Sequence, residues 1–429
     1  NCARGGSIGS LSASEVILHG REAAIHMFLH LLLLCAAIGL LSCTAFLILL
    51  AAAFIRYQRR PLPAAYSGPM PPVSLLKPLH GLEPELEMNL ESFFRQDYPR
   101  YEIIFGCRQE SDPALESVEA VRRRHPRVPV KIVFSGEPES PNAKVCSLQK
   151  MVAVATSPYL VVSDSDVRVT PQYLGEVIRP LLQPEVGMVT CLYRGVPSGG
   201  FWSRLEALGM SVEMTAGVVV ADMLEGLKFA LGPTMAIRRD VLQEAGGFQS
   251  LADYCADDFV LGQRVHEAGK QVVLSHYVVD HVALHQRCLA SLQHQVRWMK
   301  STRFSRPWGH VGTGLTFAMP FGLMGLAAGI GLGDFRLGLA LFLYAFLNRM
   351  IEAVLAGWGV VRDPQVRHYF WLYPLRDLLG FFLWCASFLS TTIVWRGERY
   401  RLEMGGKMLR EAGQSGLPDS ETVAVDELA

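Results

Sequence analysis

From Phe28 to Ile55 the chain runs through Leu, Ala, Ile and Phe with no Asp, Glu, Lys or Arg, and then meets Arg56, Arg59 and Arg60. A run of this length is long enough to cross the ~30 Å hydrocarbon core of a bilayer, and it exceeds the apolar core of a signal peptide. Basic residues collect on the cytoplasmic side of a span. The first span is therefore expected to end inward, with the following domain in the cytosol. Half of the 429 residues are hydrophobic and only 19% are charged, a balance that suits a membrane protein carrying a soluble domain. The 40 basic and 40 acidic side chains cancel, so no global field points to nucleic acid. Nine scattered cysteines without a C-x-x-C pair read as reduced thiols of a cytosolic compartment.

Between Val73 and about Val279 short apolar runs alternate with helical periodicity. Strands are predicted at Val73–Leu76, Tyr101–Cys107, Val130–Phe134, from Tyr159, and at Val186–Tyr193. Helices are predicted from Pro84, over Pro113–Arg124, over Ala143–Ala155 and from Pro171 to about Leu182. Such alternation implies a mostly parallel sheet with helices on both faces. Met210–Leu231 is apolar but interrupted by Glu213, Asp222, Glu225 and Lys228. It reads as an amphipathic helix at a membrane interface or, equally, as a core helix. Beyond Trp298, three further spans are expected at Gly314–Gly333, Leu337–Val360 and Tyr369–Val394. Arg349 and Glu352 stand three apart on one helical face and are expected to neutralise each other. Three crossings would leave Arg396, Arg399 and Arg401 outside, against the charge rule.

The chemistry is expected where Tyr159-Leu-Val-Val162 delivers Asp164-Ser-Asp166 to a strand's end. Open α/β sheets bind ligands just outside the carboxyl ends of their strands. Two carboxylates there suit a hard cation, Mg²⁺ or Mn²⁺, and through it a phosphate, although Asp-Ser-Asp is also an ordinary solvated turn. Asp258 heads a helix, a position favourable to any carboxylate. It also suits a base that deprotonates an attacking hydroxyl. Arg297 is suited to neutralise a leaving diphosphate. Trp298 suits sugar stacking or membrane anchoring, and Lys144 suits either a diphosphate contact or a solvated face. His276, His281 and His285 include an i, i+4 pair of a spacing that holds zinc, but no H-E-x-x-H motif accompanies them.

Taken in order, these stretches resemble the ceramide glucosyltransferase family (glycosyltransferase family 21) of inverting membrane enzymes, including its bacterial hopanoid-glycosylating relatives. The resemblance spans Pro71 to about Trp308 and returns in Trp395-Arg-Gly-Glu-Arg-Tyr-Arg-Leu402. It is carried by Val73-Ser-Leu-Leu-Lys-Pro78, Arg95-Gln-Asp-Tyr-Pro99, Asn142-Ala-Lys-Val145, Asp164-Ser-Asp-Val-Arg-Val169, Ala256-Asp-Asp-Phe259 and His294-Gln-Val-Arg-Trp298. It implies that Asp112 lies by the nucleotide, that Asp164 and Asp166 hold metal and diphosphate, and that Asp258 is the catalytic base. Arg297 and Trp298 match the closing motif. His294 departs from the Gln or Arg usual in the ceramide enzymes and matches the hopanoid relatives, whereas Ser147 stands where those relatives resemble Lys-Val-x-Asn.

The expected organisation is an extension at 1–26, disordered or upstream of a natural start at Met27, followed by a transmembrane helix at 27–56 and a linker at 57–72. A cytosolic GT-A-type (Rossmann-like) α/β domain occupies 73–308, transmembrane helices 309–395 and a tail 396–429. The expected protein is a multi-pass membrane enzyme, by its bacterial resemblance of an inner membrane. It transfers a hexose, glucose foremost, from a UDP-sugar to a lipid hydroxyl such as that of ceramide. The donor-binding residues are Asp112, Asp164, Lys144, Arg297, Trp298 and His294. Alternatives are N-acetylglucosamine transfer to a hopanoid polyol, a processive polysaccharide synthase, and a non-catalytic sugar-nucleotide-binding scaffold or transporter.

Overall fold

The computed structural model describes residues 13–61, 68–395 and 398–411. Eight strands form one sheet: β1 (Val73–Pro78), β2 (Tyr101–Cys107), β3 (Val130–Phe134), β4 (Tyr159–Val162), β5 (Val167–Arg168), β6 (Val186–Pro197), β7 (Met235–Arg238) and β8 (Gln271–Ala283). Their order is β3-β2-β1-β4-β7-β6-β8-β5. The first four run parallel, with Val73 of β1 level with Tyr101 of β2 and Tyr159 of β4. β7 runs against both β4 and β6. The parallel strands read as continuous apolar runs because both sheet faces are covered. Leu75, Leu76, Ile103, Ile104, Val161 and Val162 are all fully buried. The sequence places β1 to β4 and β6 correctly. It misses β5, β7 and β8; the four residues of β7 carry too little pattern and are held by two neighbouring strands.

The chain runs outward from β1 to β3 and then crosses back to β4 on the other side of β1. That reversal opens a crevice at the carboxyl ends of β1 and β4. Asp164 and Asp166 follow β4 directly and face this crevice's rim.

The expected interfacial segment 210–231 is part of a longer helix, Gly200–Glu225, with a π-helical stretch at Met210–Met214. It is two-thirds buried, in contact with β6 on one side and the N-terminal helix on the other. It is therefore a core helix, since its charged residues find partners in the protein. Asp222 pairs with Arg60, and Glu213 meets Arg376 at 2.6 Å. Among the described residues, three helices are long and apolar enough to cross a membrane: His19–Arg59, Gly200–Glu225 and Phe335–Val360.

The expected boundaries shift at both ends. Helix Ala13–Arg59 starts well before Met27, so the described part of the 1–26 extension is helical, as elongation of an existing helix adds one bond per residue fixed. The rest of that extension lies outside the described residues. Met319–Gly331 is a helix of 13 residues. At 1.5 Å per residue it reaches about 20 Å, short of the hydrocarbon thickness. It turns back through Gly333 into Phe335–Glu352, and a Cβ on Gly329 would lie 2.6 Å from the Gly338 Cα, so the two backbones need glycine to approach this closely. The expected last span ends at Ser387. The β-branched run that follows becomes β9 (Thr392–Trp395), which pairs antiparallel with β10 (Glu398–Leu402), itself paired with β11 (Met408–Arg410). Cys255 N–H donates to Gly406 O at 3.0 Å and Met408 N–H to Asp253 O at 2.7 Å. This small sheet is therefore fastened to the domain that carries β1–β8, and both lie on the same side of any membrane. Arg399 and Arg401 thus share a side with that domain, Arg396 itself lying outside the described residues.

At the base of the helix hairpin, Arg349 lies 2.6 Å from Glu352 and 3.1 Å from Asp377, all fully buried. The expected neutralisation of Glu352 holds, with Asp377 as a third member that sequence spacing does not reveal. Asp377 also accepts from the N–H groups of Ala318 and Met319.

Candidate active site

Lys77 closes β1, and Asp164 follows β4 one strand over. The buried ammonium of Lys77 donates to the Asp164 backbone carbonyl and stands 3.7 Å over the Phe93 ring. Burial drives its pKa down to about 7, against the pull of Asp164 and Asp166. Lys144 enters from the first turn of helix Ala143–Val154, which Asn142 caps by accepting the Val145 N–H at 3.1 Å. Its Nζ lies 2.7 Å from Asp164 and 3.7 Å from Asp257. Burial works against its charge, but the two carboxylates outweigh it and hold its pKa above the ordinary value.

Asp166 accepts from His281 Nε2 at 3.0 Å, β8 bringing that ring alongside β5. Burial pushes the Asp166 pKa up, but His281 and Lys77 pull it below the ordinary carboxylate value. Burial lowers that of His281, but Asp166, joined by Asp164 and Glu206, raises it above the ordinary value. The other oxygen of Asp166, Oδ1, is buried without a hydrogen-bond partner.

Asp258 stands in the first turn of helix Asp257–Glu267, and its Oδ1 accepts the Phe259 N–H at 2.8 Å. Burial and the adjacent Asp257 carboxylate raise its pKa to about 6. Gly232, in the break after the buried helix, connects the two acidic groups. A Cβ there would lie 3.2 Å from both Asp164 Oδ2 and Asp258 Oδ2. The two carboxylates thus flank one small space that exists because position 232 has no side chain.

Asp112 reaches the same edge of the sheet, but its Oδ1 takes the N–H groups of Gly81 and Ala114, each at 3.0 Å. It ties the loop after β1 to the start of helix Ala114–Arg124. The Trp298 ring packs against His294 at 4.3 Å, tilted by 54°, and lies 6.2 Å from His281, which links the closing motif to Asp166 through rings. His294 Nδ1 donates to buried Glu206 at 2.8 Å. Arg297 is directed over the Trp395 ring of β9 at 5.8 Å. The sequence reading gives Lys77 no role and weighs His281 only as one of three histidines at a zinc-like spacing. A lysine inside an apolar strand is a signal for the first, whereas His281 is visible only once β8 is beside β5. His276, His281 and His285 do not converge, for His276 packs on Tyr57 and His285 on His294.

The mixed α/β sheet thus carries, at its switch point, a crevice lined by acidic residues and lysines. Residues 31–408 match the profile of "Glycosyl transferase family 21", and the chain belongs to that family. It is 25% identical over 361 residues to ceramide glucosyltransferase 1 of Caenorhabditis elegans, covering 83% of this chain and 77% of the relative. It is 38% identical over 118 residues to a ceramide glucosyltransferase of Komagataella phaffii, covering 27% and 22%. Among solved structures, a mannosyltransferase from Pyrobaculum calidifontis in complex with GDP-Man and Mn²⁺ aligns with TM-score 0.48 and 18% identity over 81% of this chain and 99% of that one.

Proposed function

We propose that this protein is a membrane-embedded, inverting glycosyltransferase that moves a hexose, foremost glucose, from a UDP-sugar to the hydroxyl of a membrane lipid such as ceramide. The observation that carries the reading is the space above Gly232, bounded by Asp164 Oδ2 and Asp258 Oδ2. A carboxylate with a pKa of about 6 is ionised at neutral pH yet basic enough to take a proton from an attacking hydroxyl. With Asp164 assigned to metal and diphosphate, Asp258 is the carboxylate left for the attacking hydroxyl, which supports direct displacement and inversion; a second, nucleophilic carboxylate would be needed for retention.

The oxygen-only donor set of Asp164 and Asp166, with Asp166 Oδ1 buried and unpaired, fits a hard divalent cation, Mg²⁺ or Mn²⁺. Such an ion supplies charge to a departing diphosphate. Lys144 pairs with the Asp164 carboxylate, Lys77 holds the Asp164 backbone carbonyl, and both add positive charge to the same rim. Asp112 contributes by shaping the loop at Gly81. His281 and Trp298 hold Asp166 and the closing helix together. Arg297 and His294 act from the second rank, through Trp395 and Glu206.

The apolar helices His19–Arg59 and Phe335–Val360 support a multi-pass placement with the catalytic domain on the cytosolic side, where Arg56, Arg59 and Arg60 end the first span. A lipid acceptor held there presents its hydroxyl to the crevice while its tails stay among these helices. The test is purified protein in detergent with Mn²⁺ or Mg²⁺, a panel of UDP-sugars, and ceramide, diacylglycerol or hopanoid-polyol acceptors, read by mass spectrometry. A β-linked monoglycosyl lipid from an α-linked donor is the expected product. Polymer in place of glycolipid would overturn the reading.

A further inference from the structure

Beside the crevice, a second group of donors converges between three elements. Glu206 comes from helix Gly200–Gly209, His285 from the loop after β8, and His294 from helix Cys288–Ser305. One oxygen of Glu206 and one ring nitrogen of each histidine all lie within 4.8 Å of one another. The two imidazoles face each other, 4.4 Å apart and 28° from parallel. The carboxylate is itself held from behind: Ser291 Oγ donates to Glu206 Oε2 and accepts from Gln295 Nε2 at 2.9 Å. Glu206, Ser291 and Gln295 are all buried. A carboxylate oriented by an outer hydroxyl, itself oriented by an amide, is the usual support of a metal ligand.

We propose that Glu206, His285 and His294 form a transition-metal site, separate from the acidic crevice and suited to Zn²⁺ or Co²⁺. Two imidazole nitrogens and one carboxylate oxygen are the donor set of open zinc sites, and imidazole selects against Mg²⁺. Burial keeps His294 neutral, its pKa lowered to about 4, which is the form that ligates. Where a cation takes Nδ1 of His294, the neutral ring keeps its single proton on Nε2, so binding asks only for the other tautomer and weakens where acid protonates the ring. It also fastens the loop at His285 to two helices and fixes the ring against which Trp298 packs. The inference stands apart from the sugar-transfer reading, because it needs neither donor nor acceptor.

The test uses the full chain in detergent, stripped with chelator, in a D164N/D166N background that disables the acidic crevice. Co²⁺ is titrated by its visible absorption, and retained Zn²⁺ is counted after dialysis. One equivalent is expected, with affinity falling at least tenfold in His285→Ala and in Glu206→Gln. Zn²⁺ should raise the melting temperature of the parent and leave that of His285→Ala unchanged. His285 sits in a loop, so its variant should fold; His285→Cys should restore binding and add a sulfur-to-cobalt charge-transfer band. Equal affinity in folded His285→Ala, or no retained equivalent in the parent, would overturn the proposal.

Discussion

If Asp258 is the base, the acid limb of kcat reports its ionisation. With a pKa of about 6, the reactive fraction is about 0.9 at pH 7, about 0.5 at pH 6 and about 0.1 at pH 5. Activity should therefore climb about fivefold from pH 5 to pH 6, approach about tenfold per unit below pH 5, and level off above 7. Burial is the larger cause of the raised pKa and the Asp257 charge the next. Asp257→Asn removes that charge while keeping a side chain that Asn142 can meet. The pKa should fall by roughly one to two units, the range for a neighbouring like charge in a partly screened site. At pH 5 the variant should then retain about half or more of its plateau rate, roughly fivefold above the parent's fraction. The assay is initial glycolipid formation at saturating donor and acceptor from pH 4.5 to 8, with the melting temperature followed in parallel. An acid limb that stays at pH 6 in Asp257→Asn, or moves upward, refutes the assignment of that limb to Asp258.

Asp258→Asn should lower kcat by about 10²–10⁴ while leaving UDP-sugar affinity largely intact, measured by calorimetry beside turnover. The same variant should be more stable at pH 7. The folded pKa lies above the unfolded ~3.9, so stability present below pH 4 is lost as pH rises through 6, and the ionised group then costs on the order of 3 kcal/mol. A melting temperature that falls at pH 7 contradicts that sign. Gly232→Ala should place a methyl 3.2 Å from both carboxylates and cut turnover at least tenfold with little change in stability; near-normal kinetics would show that the space is unused. Gly406→Ala adds a Cβ 2.6 Å from Ser305 Oγ at a φ of +84°, so the small sheet should loosen by roughly 1–3 kcal/mol, and proteolysis within β9–β11 should accelerate. Arg349→Met leaves Glu352 and Asp377 buried without their cation and should destabilise by about 3–5 kcal/mol on thermal unfolding in detergent.

Arg349 illustrates how tertiary context completes a pair that sequence proposes. Its partner Glu352 is legible as an i, i+3 neighbour, but Asp377 comes from another helix and from no periodic relation. The same holds in the crevice. Asp164 and Asp166 announce themselves because a short apolar strand ends in them, and Asp258 because it heads a helix. Nothing in their spacing says that Gly232 brings Asp164 and Asp258 to one space, or that Lys77 is buried beneath.

By itself the amino-acid sequence determined the alternation that makes the sheet, the strands β1 to β4 and β6, the first apolar helix and the acidic positions. All of these rest on local periodicity and strand-end chemistry, which a linear chain displays. Only the tertiary structure decided that the segment around Met210–Met214 is core, because coverage by β6 and by helix Ala13–Arg59 is a property of packing. It also decided that the last apolar stretch ends in a strand. β9–β11 are bonded to the loop that carries Asp253 to Cys255, so the tail shares a side with the crevice. Hydrogen bonds between residues some 150 positions apart leave no trace in local pattern, and these bonds set which way the chain must pass.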